Sequence, residues 1–133
     1  MLNRIVSTQI RRTCCAIGNR ATYEVAISFV NPSIRDDYIH WLSERHIAEV
    51  LQFKGFVSAE LIHEYGTTNL VVQYLLESPT VFDEYNKSDT ARRLRSEAIE
   101  KFGNAFTATR RVLVRGEQFW KYSVSVLSSI LPG

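Results

Sequence analysis

Between residues 23 and 114 the spacing of apolar residues switches from two to about four and back in a fixed order. That order is the strongest constraint on the fold. "YEVAISFV" (23–30) alternates, with Tyr23, Val25, Ile27 and Phe29 on one face, which is the period of a strand. "NPS" follows as a turn and helix start, with Ser33 as the expected cap and Asp36 and Asp37 in the first turn. Ile34, Tyr38, Trp41 and Leu42 recur at helical spacing, Arg45 and His46 continue that side, and the helix runs to about Leu51. "GFVSAELIH" and "TTNLVVQYLLE" are two further strands joined across "EYGTT", whose Gly66 suits a hairpin loop. Ser78-Pro79 opens a second helix, which Ser88 and Asp89 interrupt and Asp89 recaps. Leu94, Ala98 and Phe102 form its buried stripe and Gly103 ends it. "AFTATRRVLV" is the last strand, with Phe106, Ala108, Val112 and Val114 on one side.

The order β-α-β-β-α-β is that of the ferredoxin-like split βαβ unit, an α+β fold. It implies a four-stranded antiparallel sheet with both helices on one face. In the third strand Leu70, Val72, Tyr74 and Leu76 face one way, yet the other phase, Val71, Gln73 and Leu75, is also largely apolar. The second strand is similar, with Phe56 and Ile62 on one phase and Val57, Ala59 and Leu61 on the other. A sheet apolar on both faces needs a second cover. A second copy supplies it, so the expectation is a homodimer with sheets face to face, Val71, Gln73 and Leu75 lying at the interface.

Outside this block the chain changes character. Residues 1–21 hold Arg4, Arg11, Arg12, Arg20 and both cysteines but no acid, so the remainder is slightly acidic. An Arg-rich, hydroxyl-rich, acid-free leader has the composition of a mitochondrial transit peptide, with a processing site at Arg20-Ala21-Thr22. The expected location is the mitochondrial matrix. The expected division is a leader at 1–21, one domain at 22–116 and an extension at 117–133. The extension carries Phe119, Trp120 and Tyr122 among other apolar residues and is too short and polar to span a bilayer. Phe119, Trp120 and Tyr122 are interface candidates, either on this chain's own dimer or within a larger mitochondrial complex.

The same topology serves RNA-recognition modules, and "KGFVSAEL" (54–61) nearly spells their basic and aromatic octamer. It lies on the second strand rather than the third, with Ser58 where an aromatic is needed, and the domain is slightly acidic. No nucleic-acid partner is expected. The most suggestive chemistry is in "YIHWLSERHIAEV". Tyr38, Trp41, Arg45 and His46 would line any cavity between helix and sheet, with Gln73 as a possible polar anchor. His46 titrates near neutrality and suits a general base, a metal or haem ligand, or a structural helix-end histidine. His46 and Glu49 have the spacing of a two-ligand turn, and His63 is the one further donor that folding could bring near. One such pair does not make a metal site, so neither metal nor cofactor is expected. Arg110 shares the inward phase with Phe106 and Ala108, where it would meet an acid such as Glu60.

"DDYIHWLSERHIAEVLQFKGFVSAELI", "TTNLVVQYLLES" and "LRSEAIEKFGNAFTATRRVL" together resemble a largely bacterial family of uncharacterised small proteins in the dimeric α/β-barrel superfamily. The likeness covers residues 23–115. The leader and the extension have no counterpart in the compact bacterial form, and the proline that often follows "HI" there is Ala48 here. The resemblance implies the fold and the dimer. The superfamily contains antibiotic-type monooxygenases, muconolactone isomerase-like enzymes and haem-binding proteins beside many non-enzymes. Two readings result: a non-enzymatic binding or assembly module, expected first, and a small-molecule or haem-binding enzyme of the antibiotic-monooxygenase type with its cavity around His46.

Overall fold

The computed structural model describes residues 20–121. Strand β1 (Ala21–Phe29) leads through a 3-10 turn (Pro32–Ile34) into a helical run made of α1 (Arg35–Trp41), a π turn (Leu42–His46) and α2 (Ile47–Leu51). Strands β2 (Phe56–His63) and β3 (Leu70–Leu76) follow, then α3 (Pro79–Lys87), α4 (Asp89–Phe102) and β4 (Phe106–Val114). The sheet order is β2-β3-β1-β4, all neighbours antiparallel. This is the ferredoxin-like arrangement of the dimeric α/β-barrel fold, with the helices packed on one face.

Local chemistry explains most boundaries and corrects a few. The first helical run is capped by Asn31, not Ser33: its carboxamide oxygen accepts from Ser33 N at 3.1 Å and from Ser33 Oγ at 2.7 Å. Ser88, rather than Asp89, caps α4 by accepting from Ala91 N at 3.1 Å. Gly55 has φ +96°, and a β-carbon there would stand 2.5 Å from Val81 Cγ2. That close approach lets its carbonyl accept from Glu77 N at 2.9 Å, tying the start of β2 to the end of β3. Strand β1 begins at Ala21, which is fully buried and pairs with both Leu76 and Val114.

The core lies between helices and sheet. Tyr23, Ile27, Leu70, Val72, Tyr74 and Leu76 supply the sheet side; Tyr38, Leu42, Val50, Tyr85 and Leu94 close it from above. A β-bulge between Phe56 and Ser58 changes the phase of β2. Phe56, Ala59 and Leu61 therefore all join the core, and the open face receives Ser58, Glu60 and Ile62. The open face is consequently more mixed than strict alternation predicts. At its centre Glu24 accepts from Gln73 Nε2 at 3.0 Å and from Arg111 Nε, with Val71, Leu75, Ile62 and Leu113 around them. No helix among the described residues is long and apolar enough to cross a membrane.

Candidate active site

A cavity of about 390 Å³ opens between the helices and the β1–β4 half of the sheet. Its wall on the helix side is Tyr38, Leu42, His46 and Val50, residues spaced by four. In an α-helix that spacing drifts by about 40° per step and would carry Val50 off the wall. The π turn is wider and takes up the drift, so all four side chains stay on one line. Tyr23, Val25 and Ile27 of β1 and Val72 and Tyr74 of β3 form the floor. Tyr85 of α3 and Arg95 and Ala98 of α4 form the far side; Asn104, Ala108 and Arg110 line it from the loop after α4 and from β4.

His46 lies flat against Trp41, ring centroids 4.3 Å apart, and its Nδ1 is buried with no hydrogen-bond partner. Burial lowers its pKa from 6.5 to about 4, against the opposing pull of Glu49 and Glu97 and with a small push from Arg110. The ring is therefore neutral at physiological pH. A buried lone pair is cheaper to leave unpaired than a buried N–H, which puts the proton on Nε2, the nitrogen through which the ring can meet the cavity. Burial likewise raises the hydroxyls of Tyr38 and Tyr74 well above their ordinary range, and that of Tyr85 to about 12. These tyrosines are neutral hydrogen-bonding groups. The tyrosines interlock: Tyr23 stacks on Tyr74 at 5.6 Å and contacts Tyr85 at 6.1 Å.

Two of the five residues expected to form a pocket, Tyr38 and His46, line the cavity. Trp41 stands behind His46 and orients its ring. Arg45 points outward, its side chain 65% exposed and paired with Glu49 at 2.9 Å. Gln73 lies on the opposite face of the sheet, bound to Glu24. The possible His46–Glu49 ligand pair does not form, because Glu49 is taken by Arg45 and Arg93, and His63 meets Arg35 at 2.9 Å instead. Among the described residues no three His, Cys, Asp or Glu side chains converge as a metal set. Arg110 does face inward, but Glu60 is on the open face and gives it no partner. Val71 and Leu75 lie half-buried on that open face. Phe119 and Trp120 are 84% and 71% exposed, and Tyr122 lies outside the described residues. Tyr23, Tyr74, Tyr85, Arg95 and Asn104 were not singled out from sequence. The inward phase of β1 and β3 carried the signal for the first two.

Residues 20–115 match the family described as a domain of unknown function, DUF4286. The chain belongs to that family. No curated protein matches it in sequence. Among solved structures, this DUF4286 protein is similar to SnoaB, a cofactor-independent oxygenase from Streptomyces nogalater. The TM-score is 0.54 at 14% identity, covering 75% of this chain and 96% of that one. It is similar to a monooxygenase from the ActVA-Orf6 gene of Streptomyces coelicolor in complex with Nanaomycin D, at TM-score 0.58 and 14% identity over 81% and 98% of the two chains. It is similar also to a dimeric ferredoxin-like protein from an uncultured marine organism, at TM-score 0.53 and 11% identity over 75% and 98%. At such identities the likeness is one of fold. It nevertheless overturns the expectation of a non-enzymatic module, since proteins built this way over nearly their whole length include an oxygenase and a monooxygenase. The alternative reading, an enzyme of the antibiotic-monooxygenase type, is the better supported of the two.

Proposed function

We propose that this DUF4286 protein is a small-molecule oxygenase of the antibiotic-monooxygenase type, using the cavity around His46. The observation that carries the reading is the cavity itself, a space of small-molecule size walled by aromatic rings with a few inward polar groups. Tyr23, Tyr38, Tyr74 and Tyr85 would hold a flat organic molecule by ring contact and hydroxyl hydrogen bonds. Neutral His46 would donate to it through Nε2. The small-molecule part of the sequence expectation is the part carried forward.

Oxygen uptake by the purified full-length chain, measured over a panel of hydroxylated aromatic compounds, tests the reading. Uptake that disappears in Ala108→Phe, where a ring fills the cavity, is the expected result. No uptake above the protein-free rate, or uptake untouched by Ala108→Phe, would refute it.

The enzyme is further proposed to act as a homodimer through the open sheet face. A mixed face with a satisfied polar centre and an apolar surround supports this. Leu75→Glu should then yield monomers in light-scattering chromatography. Import into the mitochondrial matrix remains part of the proposal, supported by the composition of residues 1–21, and a fluorescent fusion of that segment tests it. Exposed Phe119 and Trp120 support a further contact with a larger assembly, tested by comparing co-purifying proteins before and after their replacement by serine.

A further inference from the structure

The cavity has an unbalanced charge. Among the described residues two guanidiniums, those of Arg95 and Arg110, line it, and no Asp or Glu does. Most arginines of the described region are treated otherwise: Arg35, Arg45, Arg92, Arg93 and Arg111 each meet a carboxylate. Arg95 has only aromatic company. Its Nη2 reaches the Tyr23 hydroxyl at a long 3.4 Å, its guanidinium sits 5.9 Å over the Tyr85 ring, and its Nε is buried with no partner among the described residues. Arg110 projects from the inward phase of β4, in register with Val25, and makes no ion pair among the described residues. The neighbouring tyrosines and His46 are neutral, so nothing within the cavity offsets the two cations. A buried guanidinium N–H without an acceptor is costly, and a planar carboxylate satisfies it with two parallel hydrogen bonds.

We infer that the cavity selects flat aromatic anions, carboxylates above all, which Arg95 and Arg110 neutralise while the tyrosine rings hold the aromatic part. The inference rests on the reading of the cavity as a small-molecule site and names the substrate class for it. Ring walls favour a planar aromatic body over an inorganic anion, and a fork-shaped donor favours a carboxylate over a spherical charge.

The test is calorimetric titration of the full-length chain with 4-hydroxybenzoate and with its uncharged isostere 4-hydroxybenzamide. The anion should bind at least tenfold more tightly, the difference made by one charge-assisted hydrogen bond. That advantage should vanish in Arg110→Gln and survive in part in Arg110→Lys. Arg110 is exposed, so these variants should fold; Arg95→Gln is the parallel test on the half-buried cation. Equal binding of the two probes, or an advantage intact in both glutamine variants, overturns anion selection while leaving a small-molecule site in place. Failure of both probes to bind also overturns it, and oxygen uptake with uncharged aromatics then decides whether the site reading itself stands.

Discussion

Replacing His46 with phenylalanine should change how stability depends on pH more than it changes stability at pH 7.5. The fold tolerates the neutral imidazole and resists the charged one: burial lowers its pKa from 6.5 to about 4. In the unfolded chain the same residue takes up a proton near pH 6.5. As pH falls below that value the unfolded state binds a proton that the native state refuses, so stability drops until the native ring protonates near pH 4. Each pH unit in that window costs about 1.4 kcal/mol, so acidification from pH 6.5 to 5 removes roughly 2 kcal/mol through this one residue. Phenylalanine keeps the ring stacked on Trp41 and has no proton to bind. Urea unfolding of both proteins at intervals from pH 7.5 to 5 measures the effect. His40 and His63 are present in both and drop out of the difference. Glu24 and Glu49, whose pKa values lie below 4.5, lose their contribution only in more acid solution. The difference between the proteins should move in favour of the variant by roughly 2 kcal/mol across the range. A difference that stays flat from pH 6.5 to 5 refutes the claim that the ring is held neutral by its surroundings.

Gly55→Ala should cost about 2–4 kcal/mol in thermal or urea unfolding, because it combines a positive φ with a β-carbon driven into Val81; a loss under 1 kcal/mol would show that the turn can reshape. Glu24→Gln should cost about 1 kcal/mol at neutral pH, a small figure because the Arg111 side chain is 65% exposed and solvent screens the pair. Since hydrogen bonds from Arg111 and then Gln73 hold the Glu24 pKa below 4.5, its contribution exists above that pH and fades as pH falls through the lowered value. Wild type and variant should therefore converge in stability only once the pH has fallen below that lowered value. Leu94→Ala, at a fully buried position, should cost about 3 kcal/mol without altering the open sheet face; chromatography that shows a changed oligomeric state would contradict that separation.

Much of the fold was legible because each strand advertised its inner face. The Leu70, Val72, Tyr74, Leu76 series is buried to the last residue, and Leu94 and Ala98 lie under α4 as their spacing requires. What escaped were departures from ideal periods. The bulge at Val57 moves Phe56 to the other phase, and no alternation rule can see an inserted residue before pairing fixes it. The π turn similarly redirected the helical stripe from Tyr38 to His46 and on to Val50, leaving Arg45 outside. Gln73 carried two expectations, the open face and the pocket, for a different reason. Its phase was read correctly as opposite to Tyr74, but a polar residue on an apolar strand suggests a pocket as readily as a partner, and its partner Glu24 lies 49 residues away. Arg95 gave no signal at all among the arginines around it, since only tertiary packing decides which of them meets a carboxylate.

The π turn has a consequence for how this cavity is inherited. It contains one residue more than the α-helix around it needs, and it absorbs that surplus while the helix on either side keeps its phase. Deleting a single residue within Leu42–His46 would return the segment to 3.6 residues per turn and leave Val50 within about 20° of the line through Tyr38, because the shortened path again completes about three α-helical turns. The wall can thus lose that one residue and keep its line, and relatives whose helix is one residue shorter here should still match this chain on both sides of the turn.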